Sequence, residues 1–247
     1  MKYFAKVKYL GTDFHGFQVQ PDKRTVQGEL CRALKEALGN ECSVTGCSRT
    51  DRGVHANEFC ITVQCDGATV PPEKLPLAVA RFLPVDLSLF YAEECKPDFH
   101  PRYDVVSKEY LYKIRNAKVF DPFEYGRVCF LPRHISREGI AAMRDAAGYI
   151  VGRHDFSSFM SEGSDVSDTV REVFYLKIDE NDGLIEIRIA ADGFLYNMVR
   201  IIVGTLLEVA YGRMKPSDIE PLIISADRSK AGMTAPPEGL YLNRVNY

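Results

Sequence analysis

The chain has 247 residues, 46% of them hydrophobic and 26% charged, with a formal net charge of −3. These are the proportions of an ordinary soluble globular protein, long enough for one large domain or two small ones. They exclude a membrane-buried chain: the most apolar stretch, from about Phe194 to Ala210, is interrupted by Asn197, Arg200 and Glu208 and is too short and polar to span a bilayer. The opening Met1-Lys2-Tyr3-Phe4-Ala5-Lys6-Val7-Lys8 has no uninterrupted apolar run, so it does not read as a secretory signal. Seven cysteines, an odd number without secretory context, argue against a disulfide framework and for small buried thiols in a reducing cytoplasm.

In chain order, Lys2 to Leu10 alternates, with Tyr3, Ala5, Val7 and Tyr9 on one face, and reads as a strand. Thr25 is placed to cap a helix to about Leu38, whose Val26, Leu30, Leu34 and Leu38 form one apolar stripe, with Gly39 as its stop. Strands are expected near Cys42–Cys47 and Glu58–Cys65. Pro71-Pro72 leads into a short helix to about Phe82, and Leu87 to Glu93 reads as another strand. That first half, residues 1–104, is followed by a second, 105–247, of similar content. It comprises a strand from Val105 to Arg115, a helix from Ser136 to about Ile150 and a strand pair at Val170–Asp179 and Leu184–Ala191. A long helix from Phe194 to about Tyr211, a short helix opening on Pro216 and a closing strand from Gly239 to Val245 complete it. Two such halves imply an α+β fold, a mainly antiparallel sheet with helices on one face. Ser161 to Thr169, rich in Ser, Gly and Asp, is the expected mobile loop.

Cys42, Cys47, Cys60 and Cys65 raise the thought of zinc. Each pair along a strand is separated by an odd number of steps, so its side chains point to opposite faces and cannot jointly grip one ion. No metal is expected.

The most informative segment is Ser48-Arg49-Thr50-Asp51-Arg52-Gly53-Val54-His55-Ala56, between two strands. A turn alone explains Asp51 and Gly53, because Asp bonds its own backbone and Gly supplies positive φ. It leaves Arg49 and Arg52 unexplained. Two guanidiniums favour an ionised carboxylate and offer forked donors to phosphate, as an aspartate nucleophile acting on RNA would need. On local chemistry both readings stand.

The segment resembles the active-site loop of the TruA-type tRNA pseudouridine synthases, Arg-Thr-Asp-x-Gly-Val-His-Ala, with Arg52 at the variable position. Further motifs follow in the family's order: Tyr9-x-Gly11-Thr12-x-Phe14-x-Gly16-Phe17-Gln18 and Thr25-Val26-Gln27, then Lys108-x-Tyr110-x-Tyr112 and His154-Asp155-Phe156-Ser157-Ser158-Phe159. Gly193-Phe194-Leu195-x-x-Met198-Val199-Arg200 and Gly239-Leu240-Tyr241-Leu242 complete the set. The resemblance implies a pseudouridine synthase fold and a homodimer acting on uridines 38, 39 and 40 of the tRNA anticodon stem-loop. It makes Asp51 the nucleophile, at uracil C6 or ribose C1′, Tyr110 the ring stacked on the uracil, and Arg200 the partner of Asp51. Arg49, Arg52, Arg24, His15 and Gln18 are the candidate RNA contacts. The reaction detaches uracil from C1′ and reattaches it through C5, so it needs no cofactor. The chain accordingly carries no dinucleotide fingerprint or P-loop pattern.

Three readings of single residues bear on this. Arg200 stands in the apolar run Met198-Val199-Arg200-Ile201-Ile202-Val203, with no carboxylate three or four residues either way, so a partner must come from elsewhere. Tyr112 reads as packing and His55 as a structural histidine. His154-Asp155-Phe156-Ser157 is no triad, since triads are recognised by geometry and not adjacency. Net charge is mildly asymmetric: residues 106–162 carry nine basic and seven acidic side chains (9 − 7 = +2), residues 163–247 nine and thirteen (9 − 13 = −4). This permits a basic groove without establishing one. A non-catalytic RNA-binding module is the rival, and Asp51 discriminates: a binder has no reason to set a carboxylate among arginines that hold phosphate.

Overall fold

The computed structural model describes residues 2–67, 70–163 and 166–247. The chain divides into two units, Met1–Val106 with Tyr241–Tyr247, and Ser107–Leu240.

In the first unit, β1 (Lys2–Tyr9) lies antiparallel to both β3 (His55–Cys65) and β4 (Leu87–Glu94). The last residues of β3 pair with β2 (Cys42–Gly46), and its first residues pair in parallel with β10 (Leu240–Asn246) at Tyr241↔His55 and Leu242↔Ala56. Helix α1 (Val26–Leu38) begins where the sequence places it. Thr25 Oγ1 accepts from the Gly28 N–H, and Gly39 ends it at φ +73°. Val26, Leu30 and Leu34 are buried, as are Leu75 and Val79 of α2 (Leu75–Ala80). Odd residues of β1, Tyr3 to Tyr9, are buried in this core. Phe4, pointing the other way, packs edge-on against Phe99 and Tyr247. Alternation thus buries one face of the strand throughout and only Phe4 of the other, where Lys8 is exposed.

In the second unit, β5 (Ser107–Asn116) pairs antiparallel with β9 (Leu184–Ala191) and parallel with the short β6 (Cys129–Leu131). β9 forms a hairpin with β8 (Val170–Asn181) through Asp182 and Gly183, both at positive φ, as a two-residue turn demands. β7 (Gly152–Asp155) closes that edge. Helix α3 (Arg137–Ile150), capped by Ser136, packs on β8 and on α4 (Met198–Ala210); α5 (Ile219–Ser225) follows a turn opened by Pro216.

The expected α+β class holds, with four departures from the expected elements. β6 and β7, three and four residues long, carry no alternation long enough to read. Helix α4 starts at Met198 and not Phe194, because Asn197 takes the left-handed conformation at φ +60°. The last seven residues fold with the first unit and not the second, through β10's pairing with β3. Finally, Cys42 and Cys65 form a disulfide, with Cα atoms 4.4 Å apart, where only thiols were expected. They lie directly opposite each other in the β2–β3 register, so one cross-strand pair does what no pair along a strand could. Among the described residues no group of His, Cys, Asp and Glu could hold a metal ion, and no helix is long and apolar enough to cross a membrane. In the expected mobile loop, Ser161–Thr169, Ser164 and Asp165 lie outside the described residues.

Candidate active site

The Asp51 loop sits in the first unit, and its backbone is held from several sides. The Val54 N–H donates to the Asp51 carbonyl (3.2 Å), closing a turn with Gly53 at φ +81°. The segment from Gly11 to Phe17 clamps over it. Phe17 N–H donates to the Thr50 carbonyl (3.1 Å), Gly53 N–H to the Phe14 carbonyl (3.4 Å) and Gly11 N–H to His55 Nδ1 (2.8 Å). The clamp is in turn tied to the first turn of α1, where Val26 and Gln27 N–H groups donate to the carbonyls of Gly16 and Phe17. Two glycines allow this closeness. A Cβ on Gly11 would lie 2.0 Å from the Val54 oxygen, and one on Gly16, at φ +88°, 2.6 Å from the Thr50 oxygen.

Side chains of the loop divide into two kinds. Thr50 and His55 are buried and engaged: Thr50 Oγ1 bonds Tyr9 Oη (2.8 Å), and the His55 ring stacks on Tyr241 at 4.5 Å. Because His55 Nδ1 accepts from Gly11, its proton sits on Nε2, and the residue is a structural histidine as expected. Arg49 and Arg52 are exposed and, among the described residues, have no ion-pair partner. Asp51 itself is half-buried.

Of the other expected RNA contacts, Arg24 is already occupied. Its fork donates to both oxygens of Asp86 (2.7 and 2.8 Å) and lies 4.1 Å over the Phe14 ring. The hydrogen bonds to Asp86 raise its pKa further. Arg24 thus braces the clamp. The Gln18 side chain is exposed. His15 is half-buried, its backbone N–H bound to the Arg24 carbonyl and its buried Nδ1 without a hydrogen-bond partner among the described residues.

Tyr110 and Arg200 belong to the second unit. Tyr110, on β5 opposite Ile189, is buried with its ring edge-on to Phe194 at 5.0 Å. Tyr112, two residues on, is fully buried; its hydroxyl donates to the Pro236 carbonyl (2.7 Å), and burial pushes its pKa well up. It is packing, as read from the sequence. Arg200, in the first turn of α4, donates from Nε to the Ala235 carbonyl (2.7 Å) and from Nη1 to Asn197 Oδ1 (2.8 Å). Asn197 Nδ2 donates onward to Ser161 Oγ (3.0 Å). These bonds fix the plane of the guanidinium. Asn197 and Ala235 escaped sequence reasoning: Asn197 fell inside the helix expected from Phe194, and a backbone carbonyl has no sequence signal.

The His154–Phe159 motif makes no hydrolase. His154 Nε2 lies against the Val151 carbonyl, Asp155 Oδ1 accepts from the Ser157 N–H, and the buried Ser158 hydroxyl donates to the Leu222 carbonyl. Hydrogen bonds from Thr169 and Ser157 hold the Asp155 carboxyl below its usual range. These bonds tie the motif into the fold, and the three side chains make no hydrogen bond that links them as a triad among the described residues.

A family profile described as tRNA pseudouridine synthase matches residues 5–104 and 146–247. Full-length relatives agree. The tRNA pseudouridine synthase A 2 of Clostridium tetani is 41% identical over 245 residues, covering 98% of this chain and 97% of its own. The tRNA pseudouridine synthase A of Thermoanaerobacter sp. (strain X514) is 43% identical over 242 residues (98% and 97%), and that of Bacillus pumilus 42% over 250 (100% and 99%).

Proposed function

The chain belongs to the tRNA pseudouridine synthase family, and from that premise we propose that it isomerises uridines 38, 39 and 40 in the anticodon stem-loop of tRNA, with Asp51 as nucleophile. The observation that carries this reading is the Asp51 loop. Three hydrogen bonds to its backbone, a fourth to the His55 ring and two close-approach glycines hold it, while Arg49 and Arg52 on either side stay exposed and without an ion-pair partner among the described residues. A rigid carboxylate between available guanidiniums suits attack beside a phosphodiester.

In this mechanism the target uridine leaves its stack, and Arg49 and Arg52 hold the displaced backbone. Asp51 attacks at uracil C6 or ribose C1′, the bond from N1 to C1′ breaks, uracil turns, a bond from C5 to C1′ forms, and the bond to Asp51 breaks to return the free carboxylate. The C5 proton then leaves, and N1 gains one, so the product is an isomer of the substrate. No cofactor and no metal takes part. Tyr110, whose ring is fixed against Phe194, packs on the base and assists removal of the C5 proton. Arg200, oriented by Asn197 and Ala235, supplies the counter-charge of Asp51. Gln18, His15 and Arg24 are further RNA contacts, and Arg24 also braces the clamp through Asp86 and Phe14. The enzyme works as a cytoplasmic homodimer.

The test is Asp51→Asn. The amide keeps the size and most of the hydrogen-bonding capacity of the acid, so the loop should form. Without a nucleophile, pseudouridine formation in a tRNA transcript should fall by several powers of ten, about 5 kcal/mol or more of transition-state stabilisation. Affinity for tRNA should hold or rise, since a charge that repels phosphate has gone. A variant within tenfold of the parent would refute the assignment, and a parent that binds tRNA but forms no pseudouridine would favour the binding module.

A further inference from the structure

Beside the Asp51 loop the first unit carries an open cleft of about 210 Å³. One wall is the edge of β2, Val44 to Gly46, continuing into Ser48 and Arg49. A second is Phe17, Gln18 and Gln27. The third is His100, Arg102 and Tyr103. We infer that this cleft is a nucleotide subsite, which holds one phosphodiester between Arg49 and Arg102 and stacks an unpaired base of the RNA loop on Tyr103. The inference rests on the reading of this chain as an RNA enzyme. It adds a second contact point beside the uridine that reacts.

Charge is the first reason. The chain as a whole is acidic, at −3, yet two arginines and a histidine line this cleft and, among the described residues, no carboxylate does. Neither guanidinium has an ion-pair partner among the described residues, although Arg24 and Arg32 of the same unit are both paired to carboxylates. Unpaired cations converging on one concavity mark a place for an anion.

The second reason is Tyr103, which is 75% exposed. It is not a loose side chain on a loose loop. The His100 backbone N–H donates to Asp104 Oδ2 (2.8 Å), the Arg102 N–H to His100 Nδ1 (3.1 Å), and the Tyr103 and Asp104 N–H groups to the His100 carbonyl. Tyr247 Oη closes on the Pro101 carbonyl at 2.7 Å. The His100 ring supports the Tyr103 ring at 4.3 Å. Five hydrogen bonds therefore fix a turn whose outward product is an exposed aromatic ring, with the Arg102 guanidinium 5.8 Å from its centre. A stacking platform for a base needs that combination, and its ordering is already done before RNA arrives.

The floor is rigid as well. Gln27 Nε2 donates to the Val44 carbonyl (2.8 Å) while its Oε1 accepts from the Val19 N–H (2.9 Å), and Phe17 stacks on Phe59 at 4.4 Å. Ser48, Thr45 and Gln18 offer hydrogen bonds to the base edge or ribose.

The experiment uses the full chain and a tRNA transcript, with affinity measured across a salt series and single-turnover pseudouridine formation at saturating tRNA. Arg102 and Tyr103 are exposed, so replacing them should leave the circular dichroism spectrum and unfolding midpoint of the parent. Tyr103→Ala should weaken tRNA binding by roughly 5- to 100-fold, and Tyr103→Phe, which keeps the ring, should bind within about twofold of the parent. Arg102→Met should flatten the slope of log affinity against log salt by about 0.7 to 0.9, the share of one phosphate. Single-turnover rates at saturation should be unchanged in all three. If Arg102→Met weakens binding and Tyr103→Ala does not, the cleft takes a phosphate alone and the base-stacking proposal is overturned. Variants that all bind as the parent does overturn the subsite altogether, while a parent forming pseudouridine leaves the catalytic reading intact. A parent without activity whose binding still depends on Tyr103 would do the reverse.

Discussion

Gly16→Ala tests whether the clamp over the Asp51 loop positions the nucleophile. Gly16 has φ +88°, so any side chain there pays a left-handed penalty of about 1–2 kcal/mol. Its Cβ would also lie 2.6 Å from the Thr50 oxygen, where ordinary contact begins at 3.4 Å. The shortfall is 3.4 − 2.6 = 0.8 Å, and it must be met by backbone, because the opposing atom is a carbonyl next to Asp51. Gly39→Ala separates the two effects. That glycine has φ +73° and nothing within 4 Å of its Cβ, so it bears the conformational cost alone. We expect Gly39→Ala to lose about 1 kcal/mol in urea unfolding with parental activity. Gly16→Ala should lose about 2–4 kcal/mol. Its single-turnover rate at saturating tRNA should fall by roughly 100-fold, the usual result of misplacing a reacting group by about an ångström. If Gly16→Ala matches Gly39→Ala in stability and the parent in rate, the clamp does not position Asp51 and the argument built on it fails.

Three further outcomes follow from the site. Arg200→Met keeps length and apolar packing, so the protein should fold and bind tRNA, while pseudouridine formation drops by at least roughly 100-fold; parental activity at neutral pH would end the counter-charge argument. Asn197→Gly retains the left-handed conformation but removes the acceptor of Arg200 Nη1. A rate loss of about tenfold with unchanged tRNA affinity is expected, and rescue by Asn197→Asp, which restores an acceptor, would separate positioning from packing. Tyr110→Phe should bind tRNA normally but turn over more slowly by roughly 10- to 100-fold, and loss of binding with an unchanged single-turnover rate would reduce the residue to a structural role.

Helix α1 was legible in full because both its ends are written in side chains: Thr25 supplies the cap oxygen and Gly39 the left-handed stop. The β8–β9 strand pair was expected too, although its first strand was ended at Asp179 and runs to Asn181, up to the turn at Asp182-Gly183. What failed to show depends on partners distant in sequence. Nothing near Arg24 announces Asp86, 62 residues on, so its ion pair was not foreseen. The disulfide was missed because spacing was compared along each strand. Only the register of β2 on β3 sets Cys42 opposite Cys65, and that register is a property of the pair. The closing strand was assigned to the second half because chain order was the only guide, whereas parallel pairing with β3 returns it to the first. At α4 the apolar pattern runs back through Leu195 and Phe194, and only the backbone at Asn197 shows where the helix begins.

The same distinction bears on how the Asp51 loop should be understood. An ordinary Asp–Gly turn accounts for the hydrogen bond from Val54 to Asp51 and for Gly53. It gives no reason for a second segment to close over the turn, which requires Gly11 and Gly16 to surrender the space of a side chain. Nor does it explain why the loop's backbone at Thr50 and Gly53 is bonded to the Gly11–Phe17 segment while its arginines lack ion-pair partners among the described residues. A turn that served stability alone would gain by pairing those cations, and the chain has 34 acidic side chains from which to draw. Immobile backbone and uncommitted charge together are what a site for a polyanionic substrate requires: the ordering cost is met during folding, and the electrostatic attraction is kept for the ligand. The motif residues are visible in the sequence, but this allocation is visible only in the fold.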